Sequence, residues 1–189
     1  GTASGTIVTK SSDTSISWTP PLTLSSQNTT GATVSVVFTI TTYNGSTSLG
    51  SNTKTISCTI PASVKPSCTI TVTDSMGYEN TYGNPIKGLS KFKVVVSPTI
   101  AYGSEIASYS TKANGTTYTA ASFTTGVLQS SGAVSISTTI KDKRGRTATA
   151  SASKTVLNYV EPVVVALTVH RCDEDGTENV QGDFVLVTF

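Results

Sequence analysis

Histidine, tryptophan and methionine each occur once in the 189 residues, cysteine three times, and only 13% of the chain is charged. Each scarcity excludes something. His170 stands beside Arg171 and Cys172, but no second His/Cys pair completes the four ligands of a structural zinc site. No Gly-x-Ser-x-Gly elbow is present for a hydrolase nucleophile, the carboxylates are scattered rather than paired for acid/base work, and no glycine-rich loop could cradle a phosphate. The expectation is a protein that is not an enzyme and takes no cofactor. A formal charge of +2 without a basic-aromatic face argues against a nucleic-acid partner. The longest apolar run, residues 163–167 (VVVAL), is far short of the roughly 20 residues of a membrane-spanning helix, so no membrane partner is expected either. No signal-peptide pattern opens the sequence.

What remains is rich in hydroxyls. Serine and threonine make up about a third of the residues. Thr with the β-branched aliphatics favours strands, and Ser with Gly favours turns. The apolar period is two throughout, with no helical stretch of useful length. The clearest element is residues 134–156, VSISTTIKDKRGRTATASASKTV. Val134, Ile136 and Ile140 alternate with polar residues on the way up, as Ala148, Ala150 and Ala152 do on the way down. Between them Asp142 suits the first position of a type I turn, and Gly145 supplies the positive φ of the bulge after it. The same Asp-x-x-Gly signature stands at Asp74 and Gly77, 68 positions earlier (142 − 74, and 145 − 77). Such a repeat predicts two small β domains.

The division expected is all-β, with tandem immunoglobulin-like or fibronectin III-like sandwiches at 1–88 and 89–160 and the start of a third β module, left as a fragment, at 161–189. In the first domain residues 15–21 (SISWTPP) resemble the second strand of fibronectin III domains, which implies an inward, core Trp18 ahead of the Pro20-Pro21 pair that ends the strand, and Val36, Phe38 and Ile40 open a long strand ending at the Asn44-Gly45 turn. Residues 78–88 carry two Gly and a Pro within them, so irregular pairing is expected there. In the second, about seven strands in seventy residues fit two packed antiparallel sheets. Cys58 and Cys68 share the apolar parity of their strands, pointing both into one core. Two free thiols are the ordinary outcome there, although a disulfide between packed sheets is conceivable.

Two loops carry candidate binding chemistry. Asp173, Asp175 and Glu178 present oxygen ligands of the kind calcium takes, but without the twelve-residue spacing of an EF-hand; a solvated acidic turn is the favoured reading, with no metal. Lys141, Lys143, Arg144 and Arg146 make a basic hairpin tip that could grip an anionic polymer such as a teichoic acid. Charges there also keep a turn soluble and discourage edge pairing, which is the preferred explanation. The glycosylation-type triplets at Asn28, Asn44 and Asn114 are expected by chance in so Thr-rich a chain.

Residues 139–148 (TIKDKRGRTA), 155–162 (TVLNYVEP) and 171–179 (RCDEDGTEN), with 71–77 (TVTDSMG), 82–83 (YG), 88–91 (GLSK) and 101–104 (AYGS), resemble a family of siphophage minor structural proteins from phages of streptococci and related Gram-positive hosts. The family is one of unknown function. The likeness covers most of the chain beyond about residue 51; the first fifty residues match only a generic fibronectin-like pattern. It implies a virion tail component near the host-facing tip, assembled in the bacterial cytoplasm, whose partners are other virion proteins or copies of itself. Host wall polysaccharide is a further candidate partner. It supplies no catalytic residues. A stalk segment of a bacterial surface adhesin and a carbohydrate-binding module are the alternatives.

Overall fold

The structure, a computed structural model, describes residues 4–189. The chain falls into two compact units, Gly1–Asn158 and Tyr159–Phe189.

At the centre of the first unit two antiparallel sheets face each other. One has three strands, β3 (Ser67–Asp74), β4 (Phe92–Thr99) and β7 (Ser122–Thr124), in the order β3-β4-β7. The other has four, β5 (Ile106–Ala113), β6 (Thr116–Tyr118), β8 (Gly132–Asp142) and β9 (Thr147–Val156), in the order β6-β5-β8-β9. Period-two patterning makes this arrangement necessary, because each strand has one apolar face and only a facing sheet can cover it. Val72, Phe92 and Val94 from the first sheet close on Ala113, Ile136 and Val156 from the second, with Leu128 from the loop before β8. Tyr118 and Phe123 stack at 3.9 Å against this core. One polar pair sits inside it: the Thr111 and Thr138 hydroxyls bond to each other at 2.7 Å on neighbouring strands, which satisfies both groups away from water.

The all-β class is as expected, but the pairing departs from the expected division. β3 lies before position 88 and β4 after it, yet they pair along their whole length, Ser67 with Thr99 through Asp74 with Phe92. A boundary at 88/89 would cut a sheet. The 68-residue spacing is therefore no domain repeat: both Asp-x-x-Gly turns belong to one sandwich, at opposite ends. Glu79, which bonds the Asp74 turn, pairs with Lys154, and Lys154 lies across from Val134 at the start of β8; Asp142 ends β8. Gly77 and Gly145 do share φ values of +86° and +84°. Beyond these glycines the two turns diverge, since the first leads into a single helical turn, α1 (Tyr78–Tyr82), and only the second closes a hairpin. Irregularity over 78–88 thus takes the form of a short helix.

Among the described residues, those before β3 form no sandwich. A 3-10 turn over Leu22–Gln27 precedes β1 (Thr33–Asn44) and β2 (Thr47–Thr59), which pair only with each other. Trp18 lies outside any strand, half-buried, its ring edge-on to Phe38 at 5.5 Å. The expected core tryptophan is a surface neighbour of one aromatic, because its segment never joins a sheet. The second unit is a hairpin of β10 (Thr168–Cys172) and β11 (Phe184–Thr188).

Candidate functional site

The turn that closes β8 and β9 is built from its own side chains. Asp142 Oδ1 accepts from the Arg146 N–H at 2.8 Å, the Gly145 N–H donates to the Asp142 carbonyl at 2.9 Å, and the Asp142 N–H to the Arg146 carbonyl at 2.9 Å. Gly145 provides the left-handed residue of this bulged turn. An added Cβ would meet nothing nearer than the end of Lys141 at 4.0 Å. Gly145→Val is therefore expected to cost about 1–2 kcal/mol from backbone strain alone, read as a lower denaturation midpoint, with Gly145→Asn losing less because Asn tolerates this region.

From this turn two arginines reach away from solvent. Arg144, only 8% exposed, donates to four main-chain carbonyls: Nε to Asn28 at 3.0 Å, Nη1 to Ala101 at 2.8 Å, and Nη2 to Ser25 at 2.7 Å and Tyr102 at 2.8 Å. Arg146 donates to the carbonyls of Ile60, at 2.7 Å, and Val64. The physical fit is that of a donor-only fork to acceptor-only partners. Residues 61–66 contain two prolines, which lack N–H groups, so carbonyls in this irregular segment need donors from outside it. Burial pulls the Arg144 pKa down, the Asp142 charge opposes that, and Arg146 adds to it. Asp142 is itself 1% exposed, with Oδ2 buried and without a hydrogen-bond partner. Ser104 Oγ adds a bond to the Thr29 carbonyl at 3.0 Å, and Val34, Ile60 and Val64 form a small core against Ala101. One end of the sandwich thus grips the segment before β1 and the segment after β2.

What it holds is an arm. The register places Val34, Val36, Phe38 and Ile40 on one face of the β1–β2 ribbon, opposite Cys58, Ile56, Lys54 and Asn52. The other face carries hydroxyls on both strands, Thr33, Ser35, Thr39 and Thr41 opposite Thr59, Ser57, Thr53 and Ser51, interrupted by Val37 and its partner Thr55. At the outer end a bulge displaces Leu49 between the Thr42/Gly50 and Tyr43/Ser48 pairs. Ile40 is 74% exposed and Leu49 66%. They line an open groove of about 480 Å³ with Thr42, Gly50, Ser51 and Asn52.

The family model described as "Siphovirus protein of unknown function (DUF859)" matches residues 1–180. The chain belongs to this siphovirus family. The match takes in the arm and the segment before it, so the family extends over the first fifty residues, where the sequence had offered only a generic fibronectin-like pattern. No curated protein matches the chain.

In this siphovirus protein the four cations of the hairpin tip do not form one basic surface. Arg144 and Arg146 are turned inward onto carbonyls, Lys143 pairs with Glu105, and Lys141 is exposed. A polymer grip at this tip would lose both its guanidinium groups to the joint, and the favoured reading of four solvated turn charges does not hold for Arg144 and Arg146 either. The hydrogen bond and charge of Lys143 hold the Glu105 carboxyl below its ordinary pKa. Ile136, Thr138, Ile140 and Asp142 share the parity that faces the interior, but Arg144 stands beyond the end of β8, in the turn, so strand alternation carried no signal for its inward course.

The acidic loop of the second unit is organised by local bonds. Asp173 Oδ1 accepts from Asn179 Nδ2 at 2.8 Å, Asp175 Oδ1 from the Thr177 N–H at 2.9 Å, and Glu178 lies 3.3 Å from His170. That bond from Thr177 also lowers the Asp175 pKa. Among the described residues no three His, Cys, Asp or Glu side chains gather as a metal site would require. All three cysteines are free. Cys58 lies on the arm opposite Val34 and Cys68 on β3 opposite Pro98, and neither belongs to the core of the sandwich or to the Val34–Ile60–Val64 cluster, so the expected shared core is not found. Burial raises the Cys68 pKa. Among the described residues no helix is long and apolar enough to cross a membrane.

Proposed function

We propose that this siphovirus protein is a virion component of the tail tip or a tail fibre, a non-enzymatic spacer that holds receptor-binding parts and bonds to other virion proteins. The observation that carries the reading is the use of the basic side chains. Arg144 and Arg146 give their donors to six carbonyls within the same unit, which fixes the arm on the sandwich. A ligand-binding tip would keep such groups in solvent; a stiff structural element uses them internally. The strand division β3-β4-β7 against β6-β5-β8-β9 supports an immunoglobulin-like, fibronectin-type sandwich, a fold suited to length and lateral surface.

The test has two arms. Antibody raised against the purified chain should label the tail of intact siphovirus particles that encode it; labelling of the capsid, or of no particle, would overturn the virion placement. The purified chain should show weak or absent binding to host cells and isolated wall polysaccharide. Saturable, saccharide-specific binding would make it a receptor-binding or carbohydrate-binding module, with Lys141 and Lys143 the first residues to mutate.

A further inference from the structure

Only two asparagines precede a glycine, Asn44 and Asn114, and both stand at hairpin tips. Asparagine before glycine is a reactive pair. The main-chain nitrogen of the glycine can attack the asparagine Cγ, because a residue without a side chain leaves that nitrogen uncrowded. Both glycines have open space around them: a Cβ on Gly45 or Gly115 would meet nothing within 4 Å. The difference between the two sites lies in the asparagine.

Asn114 is half-buried, and both atoms of its amide are tied. Nδ2 donates to the carbonyls of Gly126 at 3.3 Å and Val127 at 3.0 Å, while Oδ1 accepts from the Gln129 N–H at 3.3 Å. These bonds hold the β5–β6 turn to the loop that carries Leu128 into the core. Asn44 is exposed, and among the described residues neither its side chain nor the Gly45 N–H has a hydrogen-bond partner. It closes the free end of the arm, where Gly45, at φ +57°, and Ser46 make a two-residue loop between Asn44 and Thr47. The bulge after Thr42 separates this end from the regular ladder. Turning Asn44 into position for ring closure therefore opens at most the Tyr43–Ser48 and Asn44–Thr47 pairs, a local event that leaves the sandwich core closed.

We propose that Asn44 is a self-modifying site, which the folded chain converts without an enzyme to aspartate or isoaspartate, while Asn114 is protected by its bonds. The Gly45 nitrogen bonds to Asn44 Cγ as its proton passes to solvent base. The Cγ–Nδ2 bond breaks, and the amide nitrogen takes up a proton from water and leaves as ammonia. Water then opens the succinimide ring. Opening between Cγ and the nitrogen restores the normal chain with a side-chain carboxylate; opening at the main-chain carbonyl leaves the chain running through Cβ, one atom longer. Nothing is oxidised or reduced, and water is the only co-reactant. Either product places a negative charge at the tip of an arm whose residues 33–59 otherwise carry Lys54 alone. The inference is independent of the spacer role, because the chemistry needs only the arm.

Ageing the full chain at mildly alkaline pH and physiological temperature tests it, with one sample folded and a second unfolded in guanidinium. Digestion in mild acid, where the reaction is slow, followed by mass spectrometry with fragment ions, locates the conversion. Unfolded, positions 44 and 114 should convert at similar rates, since each precedes a glycine. Folded, position 44 should convert at least about tenfold faster than position 114, whose hydrogen bonds must break before the ring can close. Asn44→Gln, which would have to close a larger ring, should remove the acidic species that ion exchange resolves in the aged folded protein. Equal rates at the two positions in the folded chain would overturn the proposal, as would faster conversion at 114 or none at 44. So would acidic species that form in Asn44→Gln at the wild-type rate.

Discussion

Arg144→Ala is expected to destabilise the first unit by about 3 kcal/mol and to free the arm before the sandwich unfolds. Removing the guanidinium leaves four main-chain carbonyls without their charged donor. Breaking one side of a buried charged arrangement typically costs about 3–5 kcal/mol. The lower end applies here because the carbonyls lie in surface loops, where water can replace part of what is lost. Arg144→Lys should recover little, since three donors on a flexible stem cannot span the positions held by a planar fork. Denaturant unfolding gives the midpoint, and limited proteolysis gives the order of release. Cleavage within residues 59–66 should appear in the variant while 67–156 remains resistant. An unchanged midpoint and unchanged cleavage would show that the arm is held by the Val34–Ile60–Val64 cluster alone.

Phe92→Ala should cost roughly 3–5 kcal/mol, the range for a large aromatic removed from a close-packed core. Phe92 is 0% exposed and touches both sheets' contribution to the core, and its N–H bonds Thr125 Oγ1 at 2.9 Å, so little can collapse into the space it leaves. Val72→Ala should lower the same transition by a smaller amount, although Val72 lies on the other side of position 88. One sandwich unfolds as one cooperative step, seen alike by different probes. Two separable transitions, one sensitive to Val72 and the other to Phe92, would restore the two-domain division.

Much of the strand inventory was legible because local chemistry decides it. The 142–145 turn, the alternation through Ile136 and Ile140, and the apolar parity of Phe92, Val94 and Val96 each rest on neighbours in sequence, and each is found as a turn or a buried strand face. Trp18 and the 68-residue spacing misled for a shared reason. A short strand-and-turn signature says how the chain bends at that point, and it carries no information about which distant strand will lie beside it. β3 pairs forward with β4 across an intervening helix, a choice made by the closing of the Val72–Phe92–Ile136 core. The arginines were misread in a similar way. Four charges at a hairpin tip look solvated when viewed alone, and only the carbonyls of residues 25–28, 60–64 and 101–102, brought in from three other stretches, turn two of them inward.

By itself, then, the sequence determined the all-β class, the position of the main hairpin and the parity of its strands, because backbone propensity, side-chain alternation and turn glycines act over a few residues. The tertiary structure decided the rest: that one sandwich spans 67–156, that Arg144 and Arg146 form a joint, and that the β1–β2 arm keeps an open apolar face. Those outcomes depend on which surfaces meet. Burial of apolar area and satisfaction of main-chain acceptors are settled between segments far apart in the chain, where the spacing along the sequence no longer measures the distance in space.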